Sequence, residues 1–154
     1  MKHGHPLPAA CALLLLGAAS QAQAAPPIVC GALLNRTIEG ATITSAQLNA
    51  ADATHPDHCE VLGKIDERQG LDGQTYAIKF HLRMPTAWNG RFYYQGGGGT
   101  DGNLGSADGP VLSQGYAVVS TDSGHDNAVN VSALAGNIEF GLDPQARSDY
   151  GYRA

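Results

Sequence analysis

The segment FYYQGGGGTDG, residues 92–102, places four consecutive glycines, Gly96 to Gly99, directly behind an aromatic run. Glycine loses more conformational freedom on folding than any other residue, so four together mark a place where something approaches the main chain itself. Three chemistries use such a place. Gly97, Gly99 and Gly102 fit the dinucleotide spacing G-x-G-x-x-G, with Asp122 standing where a ribose-binding acid belongs. That fingerprint must open a helix whose N-terminus holds a pyrophosphate, whereas Asn103, Gly105, Asp108, Gly109 and Pro110 follow here. Asp101, Asn103 and Asp108 offer oxygens to calcium, without the terminal bidentate Glu of an EF-hand. The third chemistry is an oxyanion hole. Backbone N–H donors about 2.7–3.1 Å from a carbonyl oxygen stabilise the charge it gains in acyl transfer, and one donor is worth about 3–4 kcal/mol. Esterases draw one such donor from a glycine loop behind an early strand. The place of the tetraglycine in the chain favours this third reading over a plain structural turn.

The second chemistry-bearing stretch is STDSGHD, residues 120–126, with Asp122, Ser123, His125 and Asp126 packed together. A catalytic triad needs side chains converging from separate elements, which neighbours in one loop rarely achieve. No G-x-S-x-G occurs in the chain. The stretch therefore reads as a loop at the carboxyl end of a sheet strand, where open α/β folds build active-site walls. His125 has no partner at metal-ligand spacing and is expected to be a hydrogen-bonded structural histidine. His55 and His58 flank Pro56 beside Cys59, a combination that reads as a surface loop before it reads as a metal site. Trp88, just ahead of a strand, is expected to cover an edge of the core.

These loops need elements to hold them. Residues 59–83 alternate apolar with polar side chains on either side of Asp72-Gly73, a hairpin-turn signal, and predict an antiparallel hairpin. Upstream, NRTIEGATITSAQLNA predicts a short exposed strand. RFYYQ predicts a strand running into the glycines, and GPVLSQG about two helical turns between Pro110 and Gly115. YAVVSTD is an almost continuous apolar run, the mark of a strand covered on both faces. Asp143 and Pro144 are the N-cap and first turn of a further helix. The order of elements is the first half of an α/β sheet. A helix opening so near Ala154 leads to the expectation of a domain continuing past it, with Val118 and Val119 uncovered in these 154 residues alone.

Residues 1–24 combine Lys2, an apolar run from Ala9 to Ala19 and the motif Ala22-Gln23-Ala24, and are expected to be a signal peptide; residues 25–154 form one domain. The apolar run is too short for a transmembrane helix of about 20 residues, and the protein is expected to be secreted or periplasmic, without membrane attachment after cleavage. The net charge of -5, with nine scattered Lys and Arg, gives no basic stripe for nucleic acid. Cys30 and Cys59 survive signal removal. In an oxidising compartment they form one disulfide, worth about 3–4 kcal/mol in the chain-entropy model, or stay as two buried thiols.

The pieces CEVLGKID, MPTAWNGRFYYQGGGG, GYAVVSTDSGH and DYGYRA, in this order behind a signal peptide, resemble the tannase and feruloyl esterase family across the chain from Cys30 onward. The resemblance implies an exported α/β-hydrolase cleaving carboxylic esters of aromatic acids, such as gallate, ferulate or a terephthalate monoester, through a serine acyl-enzyme. Family members carry the nucleophile in a C-S-x-G-G segment downstream of the DYGYRA match, with the acid, the histidine and a lid that often holds calcium later still. No such segments occur in these 154 residues, which implies a fragment inactive alone and without a cofactor of its own. What carries over is the oxyanion loop, with Gly97 and Gly98 as donor amides, and the STDSGH loop, with Ser123 and His125 as substrate-binding neighbours. A small exported binding module, using the glycines as a ligand cradle without chemistry, is the alternative.

Overall fold

The computed structural model describes Met1, residues 29–131 and residues 138–153; the expected signal peptide, apart from Met1, lies outside the described residues. Five strands form one mixed sheet: β1 (Ala41–Asn49), β2 (His58–Gln69), β3 (Thr75–Pro85), β4 (Phe92–Tyr94) and β5 (Ala117–Thr121), in the order β1-β2-β3-β5-β4. β1, β2 and β3 form an antiparallel meander. β5 runs antiparallel to β3 and parallel to β4.

The hairpin expected over 59–83 is β2–β3. Its turn closes as expected: Gly73 takes φ +78, and the Asp72 carboxylate accepts from the Gln74 amide at 3.0 Å and the Tyr76 hydroxyl at 2.7 Å. Burial raises the Tyr76 phenol well above its ordinary range, and the bond to Asp72 raises it further. Alternation then sends Val61, Phe80 and Leu82 to one face, where they pack with Cys30, Ala46 and Cys59. Cys30 and Cys59 are joined by a disulfide with Cα atoms 5.6 Å apart. This bridge pulls Cys30–Asn35, a 3-10 turn, onto the meander, so β1 starts at Ala41.

The opposite face carries Glu60, His81 and Arg83, and Val118 of β5. Contrary to the expectation of an uncovered strand, Val118 is fully buried against Ala107 and Leu112. Leu112 belongs to a 3-10 turn of three residues, Leu112–Gln114, in place of the two helical turns expected there. Gly109 at φ +41 and Gly115 at φ +85 bracket the segment and leave no room for more. The exposed apolar side chains lie instead on β4, where Phe92, Tyr93 and Tyr94 are all exposed. Trp88 is also exposed, its indole N–H donating to the Arg91 carbonyl at 2.7 Å, so it does not cover the core.

The last element is α1 (Pro144–Tyr152), capped as expected: the Asp143 carboxylate accepts from the Ala146 amide at 2.8 Å. The same carboxylate accepts from the Leu71 amide at 2.9 Å and from Arg68 at 3.0 Å. One residue thus starts the helix and ties it to the β2–β3 hairpin, with Ala146 and Phe140 packed on Tyr76.

Candidate active site

Because β4 and β5 are parallel neighbours, their following segments emerge at the same edge of the sheet. These are the glycine loop and the turn Asp122–Asp126, the two stretches singled out by residue type. Carboxyl-terminal edges of parallel strands are where α/β folds place their sites.

The turn is built by Asp122. Its Oδ1 accepts from the amides of Lys79, at 2.9 Å, and Gly124, at 3.0 Å, while Oδ2 is buried without a partner among the described residues. Burial raises its pKa to about 6, although the two amides and Lys79 pull it down. Ser123 and Gly124 both take positive φ, +58 and +85. Gly124 has to be glycine, because a Cβ there would stand 2.7 Å from Asp149.

His125 is 1 % exposed and stacks on Phe140 with ring centroids 3.6 Å apart, with Tyr150 at its edge. The expectation of a hydrogen-bonded histidine is corrected: neither ring nitrogen has a partner among the described residues. The stack on Phe140 holds the ring, with the Ser123 and Thr100 carbonyls near it. Burial lowers its pKa, outweighing the opposite pull of the Ser123 and Thr100 carbonyls and of Asp101 and Asp126.

The glycine loop leans on this turn. Ser123 Oγ donates to Asp101 at 2.7 Å, the Asn127 amide N–H donates to the Gly102 carbonyl at 2.8 Å, and the Asn127 side chain to the Asp101 carbonyl. From α1, the Tyr150 hydroxyl donates to the Gly99 carbonyl at 2.9 Å. Farther along, the Gly105 carbonyl meets His81 Nδ1 at 2.9 Å. The amides of Gly97 and Gly98 have no acceptor among the described residues, and a Cβ on Gly98 would meet nothing within 4 Å. One side of the loop is therefore packed and the other open.

Of the eight buried side-chain atoms without a partner among the described residues, five belong to Gln95, Asp122, His125 and Asn127. Unsatisfied groups thus concentrate on the two loops, where a purely structural turn would have paired them. Ser123 and His125, read from sequence as substrate neighbours, are both buried. They lie under the glycine loop. The nearby cavity of about 230 Å³ is lined by Lys64, Tyr76, Lys79 and Asn130 and meets the turn at Asp122 and Asp126. What sequence reasoning missed are Tyr150, Asn127 and His81, whose contacts with the loop span 51, 26 and 24 residues and leave no local signal.

Two alternatives fail on geometry. The glycines do not open a helix, and Asp122 is fully buried with Oδ1 bonded to the Lys79 and Gly124 amides, so the dinucleotide fingerprint has neither its helix N-terminus nor an accessible ribose acid. Asp101 is engaged by Ser123, and Asp108 by Ser106 and its own neighbour Gly109. Among the described residues no group of three His, Cys, Asp or Glu is placed to hold a metal ion. At the other end, His58 Nδ1 lies 2.7 Å from the Pro56 carbonyl and Cys59 is in the disulfide.

The Tannase model, described as tannase and feruloyl esterase, matches residues 59–154. The chain is 50% identical over 119 residues to mono(2-hydroxyethyl) terephthalate hydrolase of Piscinibacter sakaiensis, covering 71% of this chain and 20% of that protein. It is 32% identical over 126 residues to an uncharacterized esterase of Agrobacterium fabrum, covering 73% and 21%. Among solved structures, feruloyl esterase B from Aspergillus oryzae superposes with a TM-score of 0.58 at 20% identity, over 80% of this chain and 25% of that one. A second Aspergillus oryzae esterase superposes at 0.56 and 16% identity, over 79% and 25%. The chain thus spans about a fifth to a quarter of the length of these relatives, and its mixed sheet superposes on part of theirs, an incomplete α/β sheet. By this match, the chain belongs to the tannase and feruloyl esterase family.

Proposed function

We propose that this chain is the N-terminal part of an exported carboxylic ester hydrolase acting on esters of aromatic acids through a serine acyl-enzyme. The observation that carries the reading is the amides of Gly97 and Gly98, unpaired among the described residues, on an open loop at the carboxyl edge of parallel β4 and β5. In acyl transfer, serine attack turns the ester carbonyl into a tetrahedral oxyanion, and preorganised amides stabilise that state more than the ground state. One amide comes from this loop; the second follows the nucleophile, which together with the acid and the histidine lies outside these 154 residues. Ser123 and His125 shape the floor beneath the loop. Fixed donors need a fixed loop, and the packed side of this one, held by Asn127 and Tyr150, meets that need.

The names of the relatives support ester hydrolysis, and one of them is named for a terephthalate monoester. Residues 1–24 act as the signal peptide, and the Cys30–Cys59 bridge suits the oxidising compartment to which it would deliver the chain.

Gly98→Ala in the complete gene product tests the reading. The added methyl meets nothing in the fold, so the melting temperature stays at the wild-type value. On the open side it intrudes on the ester, and kcat/KM for mono(2-hydroxyethyl) terephthalate or a ferulate ester falls at least about tenfold. Unchanged hydrolysis would contradict it.

A further inference from the structure

We propose that Asp101 and Ser123 form a latch that sets the orientation of the Gly97–Gly98 segment, which makes both of them positioning residues for ester hydrolysis; this rests on the oxyanion reading above. Both residues sit in the left-handed region, Asp101 at φ +54 and Ser123 at φ +58. Such backbone is strained for a non-glycine residue and persists only where surrounding contacts impose it, most often at functional sites. These two belong to different loops, 22 residues apart, and are bonded to each other at 2.7 Å. The strain in each loop is held by the other.

Each end of the latch is anchored. On the β5 side, the Ser123 amide donates to Thr121 Oγ1 at 3.3 Å, and that oxygen lies 3.1 Å from the Tyr94 hydroxyl on β4. On the glycine side, the Asp101 amide donates to the Gly98 carbonyl at 3.0 Å, closing a turn that begins at the third glycine, directly after Gly97. The Asp101 carboxylate then lies flush against Gly97, where a Cβ would stand only 2.0 Å from Oδ1. Gly97 is thus glycine because Asp101 occupies the space beside it, whereas Gly98 faces open space. The bond from Ser123 keeps the carboxylate in that place.

Geometry and charge make opposite predictions. A carboxylate near a developing oxyanion opposes it, so the contribution of Asp101 is its shape and its acceptor oxygen. Asparagine keeps both, tolerates left-handed backbone well and removes the charge. In the complete gene product, Asp101→Asn retains or exceeds the wild-type kcat, whereas Asp101→Ala lowers kcat at least about tenfold with KM little changed. Ser123→Gly lowers kcat in the same way. Glycine relieves the strain at φ +58, so this variant stays folded and isolates the lost hydroxyl. Hydrogen exchange reports the latch without activity: amides of residues 97–102 exchange faster in Asp101→Ala and Ser123→Gly, and at the wild-type rate in Asp101→Asn. Wild-type kcat or unchanged exchange in Ser123→Gly and Asp101→Ala would overturn the latch, as would an Asp101→Asn loss matching that of Asp101→Ala. If those variants are active while Gly98→Ala is impaired, the latch alone fails; if Gly98→Ala is active too, the oxyanion reading fails with it.

Discussion

Two buried histidines, His81 and His125, border the glycine loop and are held in opposite ways. His81 has both ring nitrogens engaged, Nε2 with Glu60 at 2.7 Å and Nδ1 with the Gly105 carbonyl at 2.9 Å. Glu60 also accepts from Arg83 and from Asn49. Burial would raise the Glu60 pKa, but its bonds to His81, Arg83 and Asn49 prevail and hold it at about 2. His125 has neither nitrogen paired among the described residues and rests on the Phe140 ring, beside Asp122 with its own unpaired oxygen. The first cluster resembles an ordinary polar core, in which partners satisfy one another except at Arg83 Nη1. The second carries unsatisfied groups and left-handed backbone, which a fold keeps where a site needs a particular shape. The difference separates what anchors the loop from what shapes it.

The largest effect belongs to the satisfied cluster. His81→Ala strands the Gly105 carbonyl, leaves Glu60 Oε1 to Arg83 alone and opens a cavity, and urea unfolding shows a loss of about 2–3 kcal/mol. A loss within about 0.5 kcal/mol would erase the distinction between the clusters.

Next comes Asp122, whose raised pKa gives stability a signed pH dependence. Below the ordinary value of 3.8 the carboxyl is protonated in both states; above about 6 it is ionised in both, and the folded state bears the burial penalty. Stability from this group therefore falls as pH rises from about 4 to about 6. Asp122→Asn keeps the acceptor for Lys79 and Gly124 and removes that fall. Relative to wild type it is unchanged at pH 4 and more stable at pH 7, by on the order of 1–2 kcal/mol in denaturant titrations. Equal pH profiles would contradict the burial argument. Glu60 acts in the opposite sense: its stabilisation is present above about 4.5 and is lost as pH falls toward about 2.

The smallest effect is at His125. Its lowered pKa means that the unfolded chain binds more protons just below pH 6.5, so this residue makes stability rise with pH up to that value. His125→Phe keeps the stack on Phe140 and removes the rise, with stability at pH 7 within about 1 kcal/mol of wild type. A loss as large as that of His81→Ala would show that the ring nitrogens do have partners.

The parts of this molecule legible in sequence are those fixed by local chemistry. Alternation and Asp72-Gly73 specify the β2–β3 hairpin, and Asp143 with Pro144 specifies the start of α1. The glycine loop stands out as a candidate site because its composition is costly elsewhere. The role of Leu112 does not, since a helix of expected length is displaced by the tertiary demand that Leu112 cover Val118. Ser123 and His125 lie beside the glycine loop, yet their burial depends on Asp101 and Phe140, which are distant in sequence from one or the other. Pairing across 22 residues, or 51 for Tyr150 with Gly99, has no periodicity to betray it.

The central claim is that the Gly97–Gly98 amides receive the oxyanion. A crystal structure of the complete gene product covalently modified by an aromatic phosphonate tests it most directly, because the phosphonyl oxygen mimics the tetrahedral state. The account predicts that oxygen at about 2.7–3.1 Å from the amide nitrogen of Gly97 or Gly98. A phosphonyl oxygen held by other donors, with these two amides turned away from the adduct, would contradict it.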